Sequence, residues 1–341
     1  MTEQTHSNIL PTGPPQGVKP GVAVSNGIPP RFDLPLPDRP EVITANVLKL
    51  TEGTPNPRLR FIFQTLIKHL HRFVNETDLT TDEWIAAINF LTRVGQACTP
   101  LRQEMILLSD VFGVSALVDT QNNPPMGKAT ESSVLGPFYT DDTAHIGNGE
   151  SIASEGKGDY LYVEGQVLTT EGAPIPGAII DTWEADADGF YDTQYADRSH
   201  PDCRGRLRSA EDGSFGFRAI VPTSYPIPGD GPVGELLLVM GRHNMRPSHL
   251  HVMVEAPGYH KLVTAFYPEG CTYLPSDSVF GVKKSLVVLE TINNEVEARK
   301  RGFSQGGSFK LMRMEIILLT NEQFETHRAN TAKSEKVFAD S

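Results

Sequence analysis

Cysteine is scarce in this 341-residue sequence: Cys98, Cys203 and Cys271 are the only three, odd in number and without a CxxC spacing. That argues against a disulfide framework and for a reducing compartment. No apolar run approaches the ~18 residues of a membrane span. The N-terminus lacks the hydrophobic core of a secretion signal, so a cytoplasmic protein is expected. Basic side chains are also in deficit. Thirty Lys and Arg face 42 Asp and Glu, for a net charge of −12, which argues against a phosphate-backbone partner. The remaining composition is ordinary. At 39% hydrophobic and 21% charged, the chain has ample material for a core, and its length suits one large domain with an appendage, or two domains.

Nine of the 26 prolines fall within residues 1–40, which predicts an extended arm over residues 1–45. Helical patterning starts near Arg58, where Phe61, Leu66, Leu70, Phe73 and Val74 recur at about 3.6 spacing. Thr80 and Glu83 form a capping box that opens a second helix through Trp84, Ile85, Ile88, Leu91 and Val94. Pro100 can start a third, through Met105, Leu107, Leu108 and Val111. His69 and His71 do not share a helix face and read as surface residues. A bundle this small cannot bury all its apolar faces alone. Residues 46–140 are therefore read as a helical dimerisation or linker region, with a long connection from Gly113 to Tyr139.

From Tyr160 the period changes to two. Strands are expected at 160–168, 177–184, 204–209, 214–220, 235–240, 249–255, 260–267 and 309–319, separated by turn signals such as Asp188-Gly189 and Asp212-Gly213. The fold class is mainly β with an α-helical N-terminal region, and residues 141–320 form a β-sandwich. Lys283 to Arg301 fits either a helix or an irregular excursion. Residues 321–341 read as a polar, mobile tail.

Within the strand at 249–255, His249 and His251 stand two apart and so point the same way. Two imidazoles on one face can share a metal ion. They can equally be polar residues on a solvent face. Arg246 lies three residues earlier on a turn stiffened by Pro247, within reach of the same place. Tyr191 and Tyr225 stand at turn-proximal positions, and phenolate is a hard anionic donor suited to ferric iron. Packing with a hydrogen-bonded tip is the alternative for both.

Seven segments, in order, carry a resemblance. They are Leu108–Asp119, Leu135-Gly-Pro-Phe-Tyr139, Gly177–Asp186, Gly189-Phe-Tyr191, Asp212-Gly213, Pro222-Thr-Ser-Tyr225 and Arg246-Pro-Ser-His-Leu-His251. Together they resemble the intradiol ring-cleavage dioxygenases, non-haem Fe(III) enzymes that split catecholic rings between adjacent hydroxyls. The resemblance implies an iron held by Tyr191, Tyr225, His249 and His251, with Tyr225 and Arg246 catalytic. It implies a substrate pocket of Leu107, Asp110, Val134, Leu135, Gly136, Pro137, Phe138, Ile227, Pro228, Arg246 and Val279. It also implies a homodimer through the N-terminal helices, in which a phospholipid can lie.

The branch most resembled is the hydroxyquinol 1,2-dioxygenases, in which an acidic residue takes the place of Asp110. A carboxylate can accept a hydrogen bond from a third ring hydroxyl, and left unpaired it disfavours plain catechol. Ser276–Lys283 is similar to the same branch. The expected reaction is cleavage of 1,2,4-trihydroxybenzene by O2 to maleylacetate; the alternative is catechol to cis,cis-muconate. One departure stands out. Where catechol enzymes carry a glutamine, this chain reads Val263-Thr264-Ala265-Phe266, so the partner of Arg246 is unassigned. Two readings from other classes compete: a non-enzymatic β-sandwich binding module of the prealbumin type, and a zinc hydrolase with His243 or His260 as a third ligand.

Overall fold

The computed structural model describes residues 27, 31–99, 102–286, 290–303 and 308–339. The chain divides into two compact units, residues 1–89 and 90–341.

In the first unit, helix α1 (Pro40–Thr51) packs on α2 (Pro57–Thr77). Helix α1 takes up the end of the expected extended arm, because Pro40 suits a helix's first position, where no amide partner is needed. Most of the arm's residues lie outside the described ones. Asn56 caps α2 by accepting from Arg58 N and Leu59 N, at 2.9 and 3.1 Å. His71 is half-buried and bonds Thr44 Oγ1 through Nδ1 at 2.8 Å, while His69 is exposed. Helix α3 (Thr81–Gln96) opens on the capping box, with Glu83 accepting from Thr80 N at 2.9 Å, and ends in the second unit.

The second unit is built on two four-stranded sheets. One has the order β4 (Ser214–Ile220), β1 (Tyr160–Thr169), β10 (Ser308–Leu318), β9 (Glu290–Asn293). The other has the order β3 (Arg204–Arg208), β2 (Ile179–Glu184), β7 (Leu250–Glu255), β8 (Leu262–Phe266). Among the described strands of these two sheets, only the β1–β10 pair is parallel. Inward residues at alternate positions make one shared core: Leu161, Val163 and Val167 from β1, Ile180 from β2, Val252 and Val254 from β7, and Met312 and Ile316 from β10. Each such side chain contributes ~1.5–3 kcal/mol on burial. A sandwich follows from this pattern.

Three expectations need correction. Residues 235–240 are not a strand but lie in helix α6 (Pro232–Val239). A short leucine run does not distinguish the two by periodicity. Here Pro232 occupies the first turn, and buried Glu104 accepts from Val233 N at 3.1 Å, which suits the positive helix end. The Gly113–Tyr139 connection contains helix α5 (Val114–Asn122), following α4 (Glu104–Val111); Pro100 lies outside the described residues. Helix α4 buries Leu108 and Val111 and packs on α6 within the second unit. The polar tail is helix α8 (Asn321–Ala339), anchored by buried Phe324, whose ring stacks on His260 at 3.4 Å. Between Lys283 and Arg301 the chain forms a short 3-10 turn (Lys284–Leu286), strand β9 and helix α7 (Glu295–Lys300).

Candidate metal centre and active site

Four side chains from three places in the second sheet and its connections converge at one end of the sandwich. His251 lies in β7 opposite Trp183 of β2, whose indole stacks on its ring at 4.7 Å and 7°. His249 immediately precedes β7. Tyr225 begins β5 (Tyr225–Pro226), which pairs with β6 (Met245–Arg246), so Tyr225 and Arg246 are register partners. Tyr191 follows the Asp188-Gly189 turn. Gly189 has φ +84, and a Cβ there would meet Tyr225 Cβ at 3.2 Å, so glycine lets the two tyrosine segments approach.

Two further features fix Tyr191. Its ring stacks on Phe138 at 4.3 Å. The next residue, Asp192, forms a buried ion pair with Arg204, which also donates to Thr140 Oγ1 at 2.7 Å and Phe138 O at 3.1 Å. One buried guanidinium thereby ties the Tyr191 turn to the segment that carries the pocket.

All four side chains are buried. Their polar tips gather: His249 Nε2 is 3.0 Å from His251 Nε2 and 3.3 Å from Tyr191 Oη, and the two phenol oxygens are 3.5 Å apart. Donors ~2.0–2.1 Å from one metal in a tetrahedral array stand about 3.3 Å apart, so these spacings match a shared ion. The tautomer of His249 agrees. Its Nδ1 is 2.8 Å from Pro247 O, a carbonyl that can only accept, so Nδ1 carries the proton. Burial and then Arg246 hold both imidazoles far below their ordinary range, hence neutral. His249 Nε2 therefore offers a lone pair to the cluster. Burial, reinforced by Tyr225, pushes the Tyr191 phenol well up; a phenol so placed ionises only when a cation binds beside it. Two phenols and two neutral imidazoles thus suit a hard trivalent cation such as ferric iron.

Arg246 is buried alongside. Its Nη1 lies 3.1 Å from His249 Nε2 and 3.4 Å from Tyr225 Oη. Its other edge meets Asp277, Nε to Oδ1 at 3.2 Å and Nη2 to Oδ2 at 3.4 Å. Sequence reasoning missed Asp277, although it falls in the Ser276–Lys283 segment singled out above. In the register Ala265 faces His251 on β8, and the neighbouring Thr264 bonds Glu131 O at 2.8 Å.

A cavity of about 970 Å³ opens onto this centre. Its lining includes Leu107, Asp110, Val134, Leu135, Gly136, Pro137, Phe138, Ile227, Pro228, Arg246 and Val279, all eleven expected pocket positions, together with Tyr225. Tyr191, His249 and His251 do not reach it. Gly136 has φ +72, and a Cβ there would sit 3.6 Å from His251 Nε2; its bareness keeps the floor of the cavity close to the imidazole. Asp110 is half-buried in the last turn of α4. Burial raises its carboxyl above the ordinary value, Ser115 and Arg246 lower it, and Asp277 raises it.

The other histidines lie elsewhere. His243 bonds Ser276 Oγ at 3.0 Å, and His260 stacks on Phe324. Among the described residues no group of three or more His, Cys, Asp or Glu side chains could hold a metal, so the zinc-hydrolase arrangement has no ligand set. No helix among the described residues is long and apolar enough to cross a membrane.

Comparisons with known proteins agree with this geometry. A family described as "Dioxygenase" matches residues 134–311, and one described as "Catechol dioxygenase N terminus" matches residues 56–130. An intradiol ring-cleavage dioxygenase of Aspergillus niger is 43% identical over 306 residues, 90% of this chain and 91% of that protein. The hydroxyquinol 1,2-dioxygenase of Nocardioides simplex is 48% identical over 249 residues, 73% of this chain and 85% of the other. The solved structure of hydroxyquinol 1,2-dioxygenase from Pseudomonas putida DLL-E4 superimposes with a TM-score of 0.79 at 43% identity, over 83% of this chain and 99% of that one. With family matches to both its helical and its sandwich regions, this chain belongs to the intradiol ring-cleavage dioxygenases.

Proposed function

We propose that the chain cleaves hydroxyquinol between adjacent hydroxyls with O2, giving maleylacetate, at an Fe(III) held by Tyr191, Tyr225, His249 and His251. The observation that carries the reading is the convergence of two phenols and two neutral imidazoles beside a cavity that also exposes Asp110. Relatives named hydroxyquinol 1,2-dioxygenase at 43–48% identity support the choice of ring. Both atoms of O2 enter the product, so no external reductant is needed.

Bound ferric iron would supply the Lewis acidity and the covalent ligation that make a catecholate ring reactive toward O2. The protein's own groups divide the remaining work. Tyr225 lines the cavity and Tyr191 does not. Tyr225 is therefore the phenolate in reach of an incoming ring hydroxyl, and it takes that proton as a built-in base. Tyr191, fully buried against Phe138, would hold the iron as a phenolate and favour its ferric state. Arg246 Nη1 faces the same atoms and stabilises negative charge that builds on ring oxygens. Asp110 accepts from the third ring hydroxyl across the pocket. The apolar lining, from Leu107, Val134, Phe138, Ile227 and Val279, holds the ring flat and excludes water.

The enzyme is also read as a homodimer through its N-terminal helices. Phe61, Leu66, Leu70 and Phe73 of α2 are exposed in the single chain and would be covered by a second copy, with or without a phospholipid between the helices. Three free cysteines suit the cytoplasm.

The test is the purified protein itself. It should carry iron and absorb in the visible through tyrosinate-to-iron charge transfer. A colourless protein fully loaded with zinc refutes the reading.

A further inference from the structure

Arg246 is bound to one carboxylate, Asp277, and lines the same cavity as a second, Asp110. Asp277 takes the Nε and Nη2 edge in a two-point pair, 3.2 and 3.4 Å, with both partners buried. That carboxylate is itself fixed by backbone amides: Oδ2 accepts from Gly281 N at 2.9 Å and Oδ1 from Val279 N at 3.3 Å. The turn that grips it also carries Val279, a wall of the cavity. Asp110, the second carboxylate, lines the cavity with Arg246 and lies close enough for the two charges to influence each other.

A guanidinium has five donors in a planar fork and pairs with whichever carboxylate meets it two-on-two. With its fork free, a buried Arg246 would have every electrostatic reason to turn to Asp110. That move would remove Arg246 Nη1 from Tyr225 and His249, and it would consume the acceptor meant for the substrate.

We propose that Asp277 is a positioning residue that occupies the Arg246 fork, so that Nη1 stays on the iron site and Asp110 stays free for the third ring hydroxyl. The inference rests on the hydroxyquinol reading above and adds the residue that makes one arginine and one free carboxylate compatible in the same pocket. A buried ion pair is seldom a source of net stability, and here it separates charges that would otherwise collapse together.

The test compares kcat/KM for hydroxyquinol and catechol in the iron-loaded enzyme, with Asp277→Asn as the perturbation. Asparagine keeps an acceptor for one of the two backbone amides and loses the charge. D277N should lower hydroxyquinol kcat/KM at least 10-fold and lower the hydroxyquinol-to-catechol ratio, while iron content and the visible band remain. The decisive arm is D110N added to D277N. With no second carboxylate to capture it, Arg246 should return toward the iron site, so D110N should raise catechol kcat/KM at least 3-fold more in D277N than in the wild type. A role confined to holding the turn together predicts the same D110N effect in both backgrounds. Gly281→Ala provides an independent variant should D277N not fold. A Cβ there would stand 3.0 Å from Arg246 Nη2 and 3.3 Å from Asp277 Oδ2, wedging the fork open without removing charge, so the ratio should fall in the same direction. Ratios within twofold of wild type in D277N or, failing that, in G281A, overturn the proposal, as does a D110N effect on catechol kcat/KM that is the same in D277N as in the wild type. A wild-type protein that opens neither ring overturns the underlying reading instead.

Discussion

Replacing Asp110 by alanine removes the carboxylate on which the ring preference is built. The residue pays two costs where it stands. It is half-buried, and it lies in the last turn of α4, where the helix dipole disfavours negative charge by ~0.3–1 kcal/mol. Ser115 and Arg246 partly offset these costs. A charge-assisted hydrogen bond to a ring hydroxyl is worth ~1.5–3 kcal/mol, which corresponds to roughly 10- to 100-fold in kcat/KM. Asp110→Ala should therefore lower hydroxyquinol kcat/KM by roughly 10- to 100-fold. Catechol has no third hydroxyl to lose, so its kcat/KM should hold or rise as an unpaired carboxylate leaves the pocket. The same substitution should raise Tm slightly, because the helix end is relieved of a charge. Steady-state oxygen uptake with each ring, on protein of matched iron content, gives both constants. An unchanged ratio would remove Asp110 as the specificity residue. Equal losses on both rings would make it a part of the general catalytic machinery.

The same carboxyl predicts a pH dependence. Burial lifts Asp110 above its ordinary 3.8, so the charged form is lost at a higher pH than for an exposed aspartate, and the hydroxyquinol-to-catechol ratio should fall on acidification through that raised value. D110N should show a flat ratio over the same range. Tyr225→Phe should lose on the order of 10²–10⁴-fold in kcat while retaining iron on the three other side chains, measured by turnover and metal analysis together. Glu184 is fully buried, with Oε1 accepting from Ile220 N at 3.0 Å and Oε2 without a partner among the described residues, and burial raises its carboxyl well above 4.5. A raised folded-state value means that the folded protein holds a proton the unfolded chain releases, so stability falls as pH climbs above 4.5. Glu184→Gln should melt higher than wild type at pH 8, with the difference shrinking toward pH 5; the reverse order would mean that the carboxylate is charged in the fold.

Much of the centre was legible in the sequence, for reasons of period and punctuation. An H-x-H on a β-branched strand puts two imidazoles on one face whatever the rest of the fold does, and His249 and His251 do meet. Glycine and proline marked the turns that deliver Tyr191 and Tyr225. That four distant residues form one set came from the resemblance, since nothing local ties Tyr191 to a histidine some 60 residues on. The pairing of Arg246 with Asp277 was not readable. Asp277 sits in a turn whose own backbone amides grip its carboxylate, and neither residue type advertises that. Misread elements were those whose fate is decided by packing. Leu236–Val239 reads as strand or helix until Pro232 and the buried Glu104 start α6. The C-terminal helix α8 has few apolar residues, and the stack of Phe324 on His260 depends on the β7–β8 connection, remote in sequence.

The central claim is intradiol cleavage of hydroxyquinol by an Fe(III) centre built from two tyrosines and two histidines. Its most direct test is one reaction run with ¹⁸O2 and followed by mass spectrometry. The account predicts one O2 consumed per ring, maleylacetate as product, and both labelled atoms in it, apart from carboxylate oxygen exchanged with water. A product cleaved outside the adjacent hydroxyls, or hydroxyquinol left intact by iron-loaded protein, would contradict it.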